Sequence, residues 1–347
     1  MRFYTTSHKH YCGIDLHART MYICVLSHEG AVLLHCNLPC DPVRFLSAIR
    51  PYREDLVVGV ECIFSWYWLA DLCAREGIAF VLGHVLYMRA IHGAKAKNDR
   101  IDSRKIAGLL KGGLMPQAYV YPAKMRATRD LMRRRLHFVR HRGQLLAHIQ
   151  MTHHQYNLES PGKRISYRSN REGIGDGFED VSVRESIAAD LALVDHYEVV
   201  IGQLELSVLR QARGHDPNGF VLLRSLPGIG KVLALTILYE IHDVQRFERV
   251  QNFASYSRLV KCDKISAGKV VGHGGDKIGN AYLKWAFSEA AVLFLAKCPQ
   301  GKALFARIER KHGKAKALSI LAHRIGRAVY FMLARKQAFD LERFLRS

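Results

Sequence analysis

The feature that most constrains the fold is a change in hydrophobic period near Pro122. Before it, short apolar runs of strand length alternate with helical stretches, and the run Leu56–Val60 (LVVGV) is continuously apolar, as in a strand buried on both faces. Beyond Pro122, apolar residues recur at helical spacing, with a basic opposite face over Pro122–Thr152. The sequence therefore predicts an α/β domain followed by helical domains, and its 347 residues suit two or three domains.

The first third predicts a three-stranded meander followed by helix, strand, helix, strand and helix. This is the element order of a ribonuclease-H-like domain, although many α/β domains share most of it. The predicted strands are Tyr11–Leu16, Met21–Leu26, Ala31–Cys36, Leu56–Val60 and Ile78–Leu82, and the predicted helices are Asp41–Arg50, Trp66–Glu76 and Asp99–Lys111.

The middle of the chain predicts a helical arm. Two amphipathic stretches, Pro122–Thr152 and Ser186–Arg213, flank an irregular segment at 157–182 that is rich in Ser, Gly and charge. Such a pair suggests a coiled-coil-like hairpin and a candidate oligomerisation element. Residues 220–347 predict a third, mainly helical region.

The charge balance points to a polyanionic partner. The chain has 52 Lys+Arg against 31 Asp+Glu, a formal net charge of +21, and nucleic acid is the leading partner for a chain this basic. The excess is uneven: residues 123–171 carry net +10 and residues 216–347 net +13, while residues 172–215 carry net −6. Clustered arginines in the arm are candidate nucleic-acid contacts, the alternative being solvated helix faces: Arg133, Arg134, Arg135, Arg140 and Arg142.

Other classes of protein are disfavoured by what the sequence lacks. No run of about 18 apolar residues predicts a membrane span. No Cys-x-x-Cys pair occurs among the eight cysteines, so free thiols in a reducing cytoplasm are expected.

Four acidic residues are candidate metal ligands. Asp15 lies in the first predicted strand and Glu61 ends an apolar strand, where a carboxylate needs a compensating cation. Asp99 and Asp102 are three residues apart and share one face near a helix N-terminus. Carboxylates from separate elements can hold the hard divalent cations that phosphoryl transfer uses. The alternative is that each is a surface or capping acid, and Asp99 is well placed to cap a helix.

Two glycine-containing segments in the last third could contact phosphates. Leu223–Ala234 (LRSLPGIGKVLA) has the pattern of a helix-hairpin-helix, in which Gly228, Gly230 and Lys231 would meet the DNA backbone. An ordinary connection between helices is the alternative. In Ser266–Asn280 (SAGKVVGHGGDKIGN), Ser266 could be a nucleophile beside Lys269 and Lys277, or simply a turn residue.

Taken together, six segments resemble the transposases of the insertion-sequence 110 family, kin to Piv-type DNA invertases. They are GIDLH, the strand ending in Glu61, AKNDRIDSRKIAGLL, LRSLPGIGKVLA, NFASYSRLVKCDKISAGK and KIGNAYLKWAFSEAA. The resemblance implies a RuvC-like domain over 1–118, a coiled-coil arm over 119–215 and a transposase domain over 216–347. It also implies a DEDD tetrad at Asp15, Glu61, Asp99 and Asp102 with Mg²⁺ or Mn²⁺, and a nucleophilic serine at Ser266.

The resemblance further implies what the protein does. A member of this family excises and inserts its own element through a phosphoserine intermediate, guided by a structured non-coding RNA, on double-stranded DNA ends and target. A homo-oligomer, dimer or tetramer, is expected. The sequence departs from many members at Arg258–Lys261 and at Ala267, so Ser255 and Ser257 stay alternatives to Ser266. Two other functions compete: a RuvC-like junction endonuclease using metal-activated water, and a non-catalytic helix-hairpin-helix DNA-binding protein.

Overall fold

A computed structural model describes residues 2–91, 98–274 and 278–346, without the side chains of residues 89, 90, 163, 262, 264, 273 and 274. The chain divides into two compact units, Met1–Ala123 and Lys124–Ser347. The predicted division of the chain into three domains, 1–118, 119–215 and 216–347, stays a prediction.

The first unit is a mixed α/β structure. Its strands are β1 (Phe3–Tyr4), β2 (His10–Leu16), β3 (Thr20–Ser27), β4 (Val32–Pro39), β5 (Leu56–Glu61), β6 (Ala79–Gly83) and β7 (Met115–Pro116). Its helices are α1 (Pro42–Ile49), α2 (Tyr67–Arg75), α3 (Val85–Ile91) and α4 (Asp99–Lys111). The predicted strands and helices are confirmed to within a few residues at their ends, and α3 is an additional helix.

The main sheet has five strands in the order β4-β3-β2-β5-β6. The meander β2-β3-β4 is antiparallel, whereas β5 pairs in parallel with both β2 and β6. Successive side chains of β2 point to opposite faces of the sheet and pack in two different apolar clusters. Cys12 and Ile14 pack with α1 and α2, while Tyr11 packs with apolar residues of α4. Helices therefore cover both faces of the sheet, which explains why its central strands are almost wholly apolar.

The second unit begins with two long helices, α5 (Ala123–Gln155) and α6 (Val181–His215). Their contacts run in opposite directions along the chain, because Arg135 binds Glu205 whereas His148 binds Asp190. Four of the five buried residues of α6 are spaced by seven, as in a coiled coil: Ile187, Val194, Ile201 and Val208. The two helices therefore form an antiparallel hairpin, here called the arm.

Over its described residues, the remainder of the second unit contains helices and one β-hairpin. It contains α7 (Pro217–Arg224), α8 (Lys231–Ile241), α9 (Val250–Tyr256), β8 (Cys262–Ser266), β9 (Lys269–Gly274), α10 (Ala281–Lys297), α11 (Pro299–His312), α12 (Lys314–Arg335) and α13 (Leu341–Arg346). Helix α8 is buried from Leu233 to Ile241 and is surrounded by the other helices. The expectation of an α/β N-terminal part and a helical C-terminal part is confirmed.

Helix α12 needs separate comment because its apolar content bears on the expected lack of a membrane span. Among the described residues it is the one helix that is long and apolar enough to cross a membrane, judged by length and composition alone. Seven of its residues are buried in the core of the second unit. Packing within the protein therefore accounts for its apolar face.

Candidate functional site

A pair of glycines places the first two acidic residues beside each other. Gly13 of β2 and Gly59 of β5 are partners in the parallel register, and α4 lies directly over both. A methyl group on Gly13 would come within 2.2 Å of the backbone nitrogen of Ala107 in α4. Since residues i and i+2 of a strand share a face, Asp15 and Glu61 follow these glycines on the face that α4 covers, on neighbouring strands.

Helix α4 supplies the third acid of the site. Asn98 caps α4, its side chain accepting a hydrogen bond from the Ile101 N–H at 2.8 Å, so Asp99 is not the capping residue. The Asp15 and Asp99 carboxylates instead meet around the His17 imidazole. His17 Nε2 lies 3.5 Å from Asp15 Oδ2 and 3.3 Å from Asp99 Oδ2, and the ligand atoms of the three residues all lie within 4.8 Å of one another.

The fourth acid, Asp102, binds a lysine of its own helix. Asp102 lies one helical turn beyond Asp99, and its Oδ1 accepts a hydrogen bond from Lys105 Nζ at 3.2 Å. Among the described residues, the compact cluster thus contains Asp15 and Asp99 but neither Glu61 nor Asp102. Carboxylate oxygens grouped in this way suit a divalent cation.

Sequence reasoning missed His17, although it closes the segment GIDLH. It also missed the repeated pattern of glycine, one residue and then an acid, which occurs as Gly13-Ile-Asp15 and Gly59-Val-Glu61. That repeat was the available signal, because a glycine inside a buried strand often marks a close backbone approach.

Ser266 lies in the second unit, at the tip of the β8–β9 hairpin. It pairs with Lys269 across a two-residue turn in which Ala267 and Gly268 both have positive φ, +48° and +76°. Such turns suit the twist of a hairpin, and glycine would adopt the conformation of Ala267 at lower cost. Ser266 and Lys269 are both exposed, whereas Lys277 lies outside the described residues.

The alternative serines differ in accessibility. Ser257 is fully buried, and its hydroxyl has no hydrogen-bond partner among the described residues. Ser255 is exposed on α9. Accessibility therefore disfavours Ser257 as a nucleophile and leaves Ser255 as an alternative to Ser266.

The turn between α7 and α8 uses its two glycines for different purposes. Gly228 is buried with φ of +96°, and a methyl group there would lie 2.5 Å from the backbone nitrogen of Phe294 in α10. Packing therefore explains this glycine. Gly230 precedes α8 with open space where a side chain would be, and Lys231 is exposed. Of these three residues, only Gly230 and Lys231 are accessible at the N-terminus of α8.

Several arginines of the arm are neutralised by carboxylates within the protein. Arg135 binds Glu205 through Nε at 2.8 Å, and Arg142 binds Glu198 at 3.4 Å. The acidic segment 172–215 is thus the partner of the basic segment, since most of it forms the facing helix α6. Among the arginines proposed from sequence to bind nucleic acid, Arg134 and Arg140 stay exposed.

Arg133 belongs to a buried network around Glu240 of α8. Glu240 is 2% exposed and accepts hydrogen bonds from Arg133 Nε at 2.6 Å, Arg129 Nε at 3.1 Å and Asn280 Nδ2 at 2.7 Å. Burial acts to raise the pKa of Glu240, but Arg133 and Arg129 hold that pKa below its usual value. The sequence did not single out Glu240, because its partners are distant along the chain.

Comparisons with known proteins identify the family of this chain. Residues 12–157 match the family model for DEDD transposases of the IS110 group, and residues 221–306 match the model described as transposase IS116/IS110/IS902 family. The transposase for insertion sequence element IS1111A of Coxiella burnetii (strain RSA 493 / Nine Mile phase I) is 24% identical over 338 residues, which cover 94% of this chain and 90% of that protein. The chain therefore belongs to the IS110 family of transposases, enzymes that cleave and recombine DNA.

Proposed function

We propose that this transposase excises and inserts its own insertion sequence by divalent-metal-dependent strand cleavage, with Ser266 bound covalently to DNA in the intermediate. The observation that carries the metal-dependent part is the meeting of the Asp15 and Asp99 carboxylates within 4.8 Å, although more than 80 positions separate them. An arrangement that brings two acids together against their mutual repulsion fits a site for a cation.

Mg²⁺ or Mn²⁺ would be held by the DEDD tetrad Asp15, Glu61, Asp99 and Asp102 of a RuvC-like domain. The donor set fits these ions, because carboxylate oxygens are hard ligands. When bound, a divalent cation polarises a phosphodiester and stabilises the charge that develops during its cleavage. The chain's own contribution is to bring the carboxyl ends of the inner strands β2 and β5, which carry Asp15 and Glu61, close to α4 through the packing of that helix on Gly13 and Gly59.

Ser266 would act as the nucleophile toward the scissile phosphodiester. Its Oγ forms a bond to phosphorus as the bond from phosphorus to one deoxyribose oxygen breaks. The serine proton passes to a base, and the departing oxygen takes up a proton, so one phosphodiester replaces another and rejoining needs no external energy source. The exposed position of Ser266 at a hairpin tip supports this role.

Nucleic acid would be held by several basic surfaces. A helix-hairpin-helix formed by α7 and α8 would contact the backbone of double-stranded DNA through Gly230 and Lys231, with Gly228 shaping the turn. In the arm, Arg134 and Arg140 are the arginines best placed for backbone contacts, since both are exposed.

The same contact role for Arg133, Arg135 and Arg142 requires them to leave their carboxylate partners. Lys269 and Lys277 would add cations near Ser266.

The proposal also includes a structured guide RNA as a partner and a homo-oligomer, either a dimer or a tetramer, as the assembly. Apolar side chains that lie open to solvent support an assembly. Leu193, Val199 and Leu206 of α6 are 48%, 56% and 63% exposed, and the serine hairpin exposes Ile265 and Val271 at 66% and 64%. Sequencing the nucleic acid that co-purifies with the protein tests the RNA partner, and sedimentation of the RNA complex tests the assembly.

The decisive experiment traps the covalent adduct. Cleavage reactions with Mg²⁺ and labelled element-end DNA would be quenched and digested, and the phosphorylated peptide mapped by mass spectrometry. We expect the adduct on Ser266, no adduct with Ser266→Ala, and an unchanged adduct with Ser255→Ala as the matched control. Asp15→Asn should abolish both cleavage and adduct. Linkage to Ser255 or another residue would contradict the assignment.

The second candidate function is a junction endonuclease that uses metal-activated water. The acidic cluster of Asp15 and Asp99 favours the endonuclease equally, because the cluster lies within the first unit. Cleavage by metal-activated water needs no serine. Cleavage that persists in Ser266→Ala without any adduct would support this alternative. A non-catalytic DNA-binding protein is no longer a candidate, because the family consists of enzymes.

A further inference from the structure

The C-terminal helices enclose a groove that no part of the proposed function uses. One cavity of about 410 Å³ lies between α12, α13 and the chain that joins them. A second, of about 710 Å³, lies among α11, α12 and α13, and the two share Arg324 in their walls. Both volumes fall within the range of about 300–1,000 Å³ that is common for ligand sites. The two cavities together are called here the C-terminal groove.

One stripe of α12 forms a wall of the first cavity. Arg324, Arg327, Phe331 and Arg335 all line it. Their spacings of three, four and four residues place them on one face of the helix. This face therefore alternates guanidinium groups with an aromatic ring.

A reversal of the chain forms the opposite wall. Lys336 adopts the left-handed conformation, with φ of 55°, and ends α12. The chain then returns, with the Phe339 N–H donating a hydrogen bond to Ser225 Oγ at 2.9 Å. Buried Phe344 and exposed Arg343 of α13 complete the lining. The groove is thus built from elements that are held in place by their own contacts.

The part of the chain that the structure describes does not neutralise the arginines of the first cavity. Within residues 2–91, 98–274 and 278–346, no carboxylate lies within ion-pair distance of Arg324, Arg327, Arg335 or Arg343. The one acid in the lining, Asp340, uses its Oδ1 to accept the Arg343 backbone N–H at 3.0 Å.

A further cation adds to this charge. Burial and the nearby charge of Arg307 both lower the pKa of Arg324. Arg307 itself lines the second cavity, with Lys311. Such crowding of like charges is relieved by a polyanion. The arm differs, since its arginines Arg135 and Arg142 already have carboxylate partners.

Phe331 offers a surface for stacking. It is half-buried, yet it does not belong to the apolar core that Phe339 and Leu333 contact. The Arg335 guanidinium lies 4.7 Å from its ring centroid. An aromatic ring flanked by arginines is the combination that binds the bases and backbone of unpaired strands.

We propose that the C-terminal groove binds an unpaired stretch of a nucleic acid strand, with a base stacked on Phe331 and phosphates held by Arg324, Arg327 and Arg335. The occupant is unpaired because a base inside a duplex has both faces covered by its neighbours and cannot stack on a side chain. The inference rests on the proposed function only in taking nucleic acid as the partner. RNA and DNA share the required chemistry.

The test measures binding of labelled (dT)₁₂, (rU)₁₂ and a 12-base-pair duplex to the full chain by fluorescence anisotropy in EDTA. Without a divalent cation, the result is independent of whether the chain cleaves. For Phe331→Ala we expect about 5- to 150-fold weaker single-strand binding, which corresponds to the loss of one stacked base. Phe331→Tyr should bind within about threefold of the wild type, because it keeps the ring.

The salt dependence isolates the phosphate contacts. In the variant Arg324→Gln with Arg327→Gln, the log–log salt slope for single strands should flatten by about 1.4, at about 0.7 per lost phosphate contact. Arg310→Gln is the matched control, since exposed Arg310 lies on α11 but lines neither cavity. The rank of (dT)₁₂ against (rU)₁₂ identifies the sugar that the groove prefers.

Four outcomes would overturn the proposal, and the first three come from the oligonucleotide measurements. They are unchanged single-strand binding by Phe331→Ala, an equal loss in Arg310→Gln, and duplex binding with the same dependence on Phe331. A twelve-residue glutamate peptide that binds as tightly, with dependence on the arginines but not on Phe331, would assign the groove to an acidic protein instead. Circular dichroism of each variant confirms that it is folded before binding is compared.

Discussion

Replacing Glu240 by glutamine should destabilise the second unit strongly, because Glu240 is the only acid among the described residues that is almost fully buried while bound to two arginines. The change leaves Arg129 and Arg133 facing a neutral amide. Removing one partner of a buried ion pair costs about 3–5 kcal/mol. The arginine side chains are 12% and 31% exposed, so water relieves part of the lost interaction. We therefore expect a loss near about 3 kcal/mol, the lower end of that range.

The assay is urea denaturation followed by the far-ultraviolet circular dichroism of the helices, most of which belong to the second unit. At a typical urea dependence of about 1–3 kcal/mol per molar, a loss of about 3 kcal/mol lowers the midpoint by about 1 M or more. Glu205→Gln is the matched control. Glu205 also binds an arginine, Arg135, but its side chain is 35% exposed, so the expected cost is about 0.2–1 kcal/mol.

The pH dependence gives an independent check with a definite sign. The pKa of Glu240 is lowered in the folded protein, so its contribution is complete above the unfolded-state pKa of about 4.3 and declines as pH falls through the folded-state pKa. The stability difference between wild type and Glu240→Gln should therefore be full at pH 7 and shrink below about pH 4. A cost at pH 7 no larger than that of Glu205→Gln, or a difference that persists unchanged in acid, would refute the reasoning.

Three further predictions concern the packing of the first unit, the divalent cation and nucleic-acid binding. Gly13→Ala would put a methyl group 2.2 Å from the backbone of α4. It should therefore lower the free energy of unfolding by about 1–3 kcal/mol, lower the melting temperature and abolish cleavage. Gly108→Ala, which meets nothing within 4 Å on the exposed side of the same helix, should instead stabilise by about 0.5–1 kcal/mol, and equal melting temperatures for the two variants would contradict this. Chelation should stop cleavage and added Mg²⁺ or Mn²⁺ should restore it, as measured on labelled DNA, whereas undiminished cleavage in EDTA would argue against a role of Asp15 as a metal ligand. Replacing exposed Arg134 and Arg140 together by glutamine should flatten the log–log salt slope of duplex binding by about 1.8, and an unchanged slope would mean that neither contacts a phosphate.

The local pattern of the sequence was sufficient to predict most secondary structure. The strands of the first unit follow from short apolar runs of strand length between turn residues, and both arm helices follow from an apolar period near 3.6, signals that each segment carries within itself. The order of those elements also predicted a ribonuclease-H-like arrangement, and the five-stranded order β4-β3-β2-β5-β6 agrees with a meander followed by parallel strands. The sequence also made Asp15 and Glu61 candidate metal ligands, because a charged residue in or after a buried strand is costly without a partner.

Tertiary structure alone decided which charged groups meet. The run Arg133–Arg135 predicted a nucleic-acid surface, yet Arg133 binds Glu240 and Arg135 binds Glu205, residues that are 107 and 70 positions away. In the same way, His17 meets Asp99 only because α4 crosses β2 at a glycine. A periodic pattern encodes the direction in which a side chain points, but not what it faces. The partner depends on the packing of whole helices and strands against one another, and that packing determines which arginines stay available for nucleic acid.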